Sequence, residues 1–145
     1  MISEALASLP DWARRMLAEA RVGHLGLLDD HDRPRVLPVT FALHEGSLWS
    51  AIDAKPKRRE PARLRYLARR PRATLTVDRY AEDWSDLAWV QVMCSVDIVD
   101  AERAGDALAA LAAKYEQYRD APPPGPVLRL APDRALYWQA APDRI

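Results

Sequence analysis

Three observations predict a mainly β fold, a small antiparallel β-barrel with flanking helices. Short apolar and β-branched runs recur along the chain, parted by tight turns rich in Asp, Gly and Pro. One long run, residues 87–99, alternates its side chains strictly between two faces. A single basic helix is inserted mid-chain and another precedes the last strands, an order that suits a closed sheet.

Residues 10–21 read as an amphipathic helix, with Trp12, Arg15 or Met16, and Glu19 or Ala20 recurring at helical spacing. Residues 22–28 (VGHLGLL) form a first strand and 29–34 a turn. Residues 35–43 (RVLPVTFAL) form the partner strand, where Pro38 marks an edge, a bulge or a bend. After a turn at His44, Glu45 and Gly46, residues 47–52 (SLWSAI) complete a three-stranded meander. Pro61 suits the first turn of the basic helix, Leu64 and Leu67 face inward, and Pro71 ends it.

Residues 73–77 (ATLTV) are a fourth strand and 80–86 a polar loop. In the long fifth strand Ala88, Val90, Val92 and Cys94 point one way, and Leu87, Trp89, Gln91 and Met93 the other. That pattern suits packing on both sides. Residues 101–118 read as one helix, with Ala104, Leu108, Leu111 and Tyr115 on a single face. Beyond a stiff proline connector, residues 127–130 and 135–139 are two strands around a turn at Pro132, Asp133 and Arg134. No repeat or linker interrupts the chain, so residues 1–145 are expected to form one domain.

Composition narrows the function. A formal net charge of +0 argues against a nucleic-acid-binding surface. No apolar run approaches the roughly 20 residues of a membrane span. The first residues lack the basic-then-apolar order of a secretory signal, so a cytoplasmic location is expected. A single cysteine, Cys94, leaves no intrachain disulfide or cysteine-based metal cluster. His24, His31 and His44 lack metal-ligand spacing, and no metal site is expected. No nucleophile–base pair, phosphate-cradling glycine loop or paired carboxylates stand out, which fits a reaction carried by a cofactor.

Charge is nonetheless concentrated. Nine of the 21 Lys and Arg residues fall between Lys55 and Arg72, against one acid, Glu60. Cations at a strand-to-helix junction, beside the unpaired N–H groups of a helix start, suit a small anionic ligand.

Several stretches together carry a family likeness: Leu37-Pro-Val-Thr-Phe41, Asp53-Ala-Lys-Pro-Lys57, Pro71-Arg-Ala-Thr-Leu-Thr-Val-Asp78, Tyr80-Ala-Glu-Asp-Trp-Ser-Asp-Leu87, Tyr115-Glu-Gln-Tyr118 and Trp138. The chain resembles the pyridoxamine 5'-phosphate oxidase-like, FMN-binding split β-barrel proteins, and within them the F420-dependent oxidoreductases. The resemblance implies a homodimer with cofactor sites at the subunit interface and a small-molecule substrate. It implies that Val39, Thr40 and Phe41 run along the cofactor ring and that Ser50, Ala51 and Ile52 line its floor. Lys55 and Lys57, with Arg58, would take the cofactor phosphate. Tyr80 and Trp84 would approach from the partner chain, and Tyr80 is the one candidate general acid. The implied cofactor is F420, with FMN as the alternative, and a protein that binds either without turnover is the other reading. The chain departs from the usual family pattern at Arg35, Gln91 and Cys94.

Overall fold

The computed structural model describes residues 3–52 and 61–140. Its elements run α1 (Glu4–Ala7), α2 (Asp11–Glu19), β1 (Gly23–Leu28), β2 (Pro34–Val39), β3 (Ala42–His44) and β4 (Ser47–Ala51). They continue with α3 (Ala62–Arg69), β5 (Arg72–Arg79), β6 (Ala88–Val99), α4 (Gly105–Lys114), α5 (Glu116–Asp120) and β7 (Val127–Gln139). Short 3-10 turns occupy Trp84–Asp86 and Ala101–Arg103.

Turn chemistry sets the hairpins. Between β1 and β2, the Asp29 carboxylate accepts from the backbone N–H groups of His31 and Arg33 and from the Arg33 guanidinium. Burial alone would raise the pKa of Asp29; these hydrogen bonds and the Arg33 charge outweigh it and hold the pKa down to about 2. Between β3 and β4, Glu45 and Gly46 both have positive φ, 47° and 78°, the two-residue geometry whose twist matches that of the strands.

All seven strands form one antiparallel sheet in the order β2-β1-β5-β6-β7-β4-β3. β2 and β3 lie at opposite edges of that sheet, yet only residues 40–41 separate them. Laid flat, six strand spacings would put the edges about 29 Å apart. Three peptide steps reach at most about 11 Å. The sheet therefore has to roll until its edges approach, and because β2 and β3 do not pair, the result is a split barrel.

The barrel interior is a leucine- and valine-rich core that includes Leu25, Leu75, Val90, Val92 and Leu128. Leu6, Leu9 and Leu17 from α1, α2 and the bend between them pack into it. A second, smaller core joins α4 to β3, β4 and β7 through Ala42, Ala107, Leu111, Tyr115 and Val127. Leu64 and Leu67 are the buried residues of α3, as its spacing predicts. Among the described residues no helix is long and apolar enough to cross a membrane.

Four expectations need correction. Residues 35–43 are two strands instead of one, so the meander gives way to two hairpins on opposite sheet edges. Pro34 and Pro38 both lie on β2, an edge strand, where a missing N–H costs little. Residues 101–118 break into three pieces: Ala104, φ −111° and ψ 24°, parts a 3-10 turn from α4, and Tyr115, extended at φ −121° and ψ 116°, ends α4. Residues 127–139 are one continuous strand, and the expected turn is a β-bulge: Met93 pairs with Arg134 and Cys94 with Pro132, leaving Asp133 over. Lastly, only the small face of β6 is in the core; Trp89, Gln91, Met93 and Ser95 are half-buried within one chain.

Gly23 starts β1 directly under the barrel seam. A Cβ there would lie 2.7 Å from Leu75 Cδ1 and 3.1 Å from Phe41 Cε1, both side chains being fully buried. Gly23→Ala is expected to destabilise the fold by about 1–3 kcal/mol through overpacking, read as a lower denaturation midpoint with unchanged m-value.

Candidate functional site

The seam between β2 and β3 is fastened by side chains from far along the chain. The Tyr115 hydroxyl accepts from Phe41 N (3.2 Å) and lies within donating distance of Arg21 O (2.9 Å) and Phe41 O (3.1 Å). Lys114 Nζ donates to Phe41 O at 2.8 Å and sits 4.1 Å from the centre of the Phe41 ring. Ser50 Oγ donates to Thr40 O at 2.7 Å, and Thr40 Oγ1 lies 2.5 Å from the Tyr118 hydroxyl. These contacts satisfy backbone groups that leave the sheet ladder at residues 40–41.

Burial, reinforced by the Arg21 charge, pulls the Lys114 amine down from the usual lysine range to about 8. The unfolded chain keeps that proton up to about 10.5, so it binds more protons than the folded chain between about 8 and 10.5. Stability therefore gains a rising contribution through that window. Lys114→Met is expected to remove it, which denaturant titrations on either side of the window would measure.

The structure places the sequence-derived residues in two groups. Val39, Phe41, Ser50, Ala51 and Ile52 are buried within the chain, with Phe41 wholly inaccessible. Thr40 is half-buried, its hydroxyl already engaged by Tyr118. Tyr80 and Trp84 lie on the β5–β6 connection, 65% and 68% exposed. Lys55, Lys57 and Arg58 lie outside the described residues.

Sequence reading missed the residues that β2 turns outward. Paired residues of antiparallel strands point to the same side. Val36 pairs with Gly26 and Pro38 with His24, while Thr74 and Thr76 of β5 pair with Gly26 and His24. Met93 and Gln91 of β6 continue the same face. Val36 is 69% exposed. A cleft of about 220 Å³ opens where β2 meets the start of α3, lined by Arg35, Val36, Leu37, Pro61, Ala62 and Tyr66 among others.

The outer face has two unlike ends. Where β5 ends, Trp89 pairs with Trp138 near the exposed Tyr80 and Trp84. Where β5 begins, a groove of about 790 Å³ is bordered by arginines. Of the departures from the family pattern, Arg35 lines both the cleft and the groove, Gln91 lies on the outer face, and Cys94 is buried inward. Burial, with the Asp133 charge, pushes the Cys94 thiol up to about 12.

One grouping bears on the metal expectation. His44, Glu45 and Asp106 bring one ligand atom each within 4.8 Å of the others, at the β3–β4 turn and the start of α4. Glu45 and Asp106 are exposed, and His44 Nε2 lies 3.8 Å from Glu45 Oε1, an ion-pair distance when the imidazole is protonated.

The arrangement offers a ligand support more than chemistry. Its outward strip of Val36 and Pro38, backed by peptide groups, offers a flat apolar support beside a helix start. Hydride transfer is chemistry that a bound cofactor carries, with the protein binding and orienting it.

Known proteins share this architecture. A heme-binding protein from Mycobacterium smegmatis superposes with a TM-score of 0.73 at 20% identity, over 99% of this chain and 57% of that one. An FAD-binding protein from Mesorhizobium loti gives 0.66 at 16% identity, over 89% and 94%. An F420 reductase gives 0.65 at 20% identity, over 88% and 98%. At these identities the likeness is one of fold. No curated protein shows significant sequence similarity to the chain. The profile of the pyridoxamine 5'-phosphate oxidase family, by contrast, matches residues 9–139, nearly the whole sequence. The chain thus belongs to the pyridoxamine 5'-phosphate oxidase family.

Proposed function

We propose that this protein is an F420-dependent oxidoreductase that passes hydride between the reduced deazaflavin and a small conjugated organic substrate. The observation that carries the reading is the cleft between β2 and α3. An outward apolar strand edge, Val36, lies beside a helix start, and the Lys55-Pro56-Lys57 motif precedes that helix by only a few residues. A ring needs a flat apolar support, and a phosphate needs cations near free N–H groups. The same two requirements fit FMN, which remains the alternative occupant.

Bound there, the cofactor supplies the hydride chemistry itself. The chain's part is to hold and orient it. Val36 and Pro38 would support a bound ring, and the backbone at residues 39–41, held from within by Tyr115, Lys114 and Ser50, would keep that strand edge in place. The side chains of Val39 and Phe41 face the core, so they act by fixing that backbone. Ser50 and Tyr118 fasten it further through Thr40, and Ala51 and Ile52 fill the interior below. Lys55 and Lys57, assisted by Arg58, neutralise the phosphate.

The protein works as a homodimer in this reading. The half-buried outer face of β6 and the exposed aromatic end are what a second copy would cover. Tyr80 and Trp84 of that copy then close the ring pocket against water. Tyr80 is the candidate proton donor to the product, with solvent as the other source.

The test is direct. Protein is mixed with reduced F420 and a panel of conjugated carbonyl and quinone acceptors, and the return of oxidised deazaflavin absorbance is followed. Turnover above the protein-free rate is expected with at least one acceptor. Turnover seen only with reduced FMN would move the protein to the alternative.

A further inference from the structure

We infer that His44, Glu45 and Asp106 form a site for a divalent transition-metal ion such as zinc, which clasps the β3–β4 turn to the start of α4. None of the three lines the cofactor cleft or the neighbouring groove, so the site stands whether or not the chain binds F420. Histidine spacing, which leads to the expectation of no metal site, gives no hint of it. Its ligands come from two separate elements, and one alone is a histidine.

Packing brings the three side chains together. Ala107 and Leu111 of α4 bury in the smaller core with Ala42 of β3. That contact holds the first turn of α4, and with it Asp106, against the β3–β4 hairpin. His44 is the last residue of β3, where it pairs with Ser47 and its carbonyl oxygen accepts from Trp49 Nε1 at 3.1 Å. Glu45 follows in the turn, and one ligand atom from each residue lies within 4.8 Å of the others.

The imidazole is what points to an ion. His44 Nε2 is buried and has no hydrogen-bond partner among the described residues, with Glu45 Oε1 3.8 Å away. Leaving a buried polar nitrogen unpaired is costly, and native structures satisfy nearly all of them. The gap to the carboxylate is too long for a hydrogen bond. It is close to the spacing of two ligands on one ion, since bonds of about 2.0–2.2 Å at a tetrahedral angle set ligand atoms roughly 3.4 Å apart. Glu45 and Asp106 are exposed, so small rotations of their side chains close the remaining distance without disturbing the core.

The donor set then selects the ion. One imidazole nitrogen with two carboxylates suits zinc, whereas magnesium and calcium favour oxygen donors alone. The two carboxylates also supply the charge a divalent cation needs. Arg14 lines a cleft of about 260 Å³ beside His44 and Glu45, but its guanidinium is already held by Asp11 and by the carbonyl oxygens of Ala7 and Leu9. Three protein ligands at the surface leave the remaining coordination to water. The ion's part is structural: α4 ends in Lys114 and Tyr115, the residues that fasten the seam, and the clasp fixes the other end of that helix.

The experiment uses the whole chain without a histidine tag, freed of metal by a chelator and dialysis, and its His44→Gln, Glu45→Gln and Asp106→Asn variants. Because Glu45 and Asp106 are exposed, their variants should melt with the metal-free wild type. Each protein is titrated calorimetrically with zinc chloride and, separately, with magnesium chloride, and its melting temperature is read with and without zinc. Wild type is expected to take one equivalent of zinc with micromolar affinity, to ignore magnesium, and to melt several degrees higher at about 100-fold excess over the dissociation constant. Each variant should bind zinc at least about tenfold more weakly, as loss of even an outer-shell partner can do, and should lose the rise in melting temperature. No saturable zinc binding by wild type, or binding that survives in both carboxylate variants, would overturn the site. Zinc affinity lost in Glu45→Gln but kept in Asp106→Asn would overturn the clasp. Magnesium bound as tightly as zinc would remove the imidazole from the ligand set.

Discussion

Replacing Lys55 and Lys57 together with alanine is expected to weaken cofactor binding by about 100-fold or more. A hydrogen bond to a charged group contributes roughly 1.5–3 kcal/mol, and each 1.4 kcal/mol is about tenfold in affinity. Two such bonds to a phosphate therefore account for at least that factor. The fold should not notice, since lysine ammonium groups rarely sit in a core. Far-ultraviolet circular dichroism and the thermal midpoint should be those of wild type, while the dissociation constant rises. An unchanged dissociation constant would take the phosphate away from these lysines.

The second large effect is on the fold itself. Tyr115→Phe keeps the ring, its packing in the smaller core and its edge contact with Tyr118. It removes one oxygen, and with it the partner that Phe41 N donates to and the donor that reaches Arg21 O or Phe41 O. A buried backbone group left unpaired costs about 1–3 kcal/mol. For a domain of this size that lowers the melting temperature by several degrees, at roughly 2–4 °C or more per kcal/mol. Because the peptide at residues 40–41 also supports the proposed ring site, cofactor affinity should fall with it. Lys114 still donates to Phe41 O in the variant, so the seam loosens without opening. A melting temperature equal to wild type would show that Tyr115 fills space and does not fasten the seam.

What the sequence discloses depends on the range of the forces involved. The hairpins were readable because their turn residues act locally: Asp29 binds its own turn, and Glu45-Gly46 adopts positive φ without outside help. The break at residues 40–41 was not, because Pro38, the irregular residue in RVLPVTFAL, lies within β2 and not at the break. The break is imposed by hydroxyl and ammonium groups of residues 50, 114, 115 and 118. The same holds for residues 127–139, where Pro132 reads as a turn but the partner strand absorbs it as a bulge.

The site divides along the same line. Nine cations between residues 55 and 72 are visible as composition. That Val36 and Pro38 face outward, while Val39 and Phe41 face the core, follows from register across the sheet. That Arg134 and Arg72 line one groove follows from the pairing of β5, β6 and β7, which no spacing in the chain reveals. Tyr115 and Tyr118 did stand in the sequence as part of the family likeness. Their task at the seam needed the structure.

The central claim is that this split barrel binds the deazaflavin F420. The most direct test is a fluorescence titration of the purified protein with F420 and, separately, with FMN. The account predicts micromolar, saturable F420 binding that is tighter than FMN binding. FMN bound tightly and F420 not at all would contradict it.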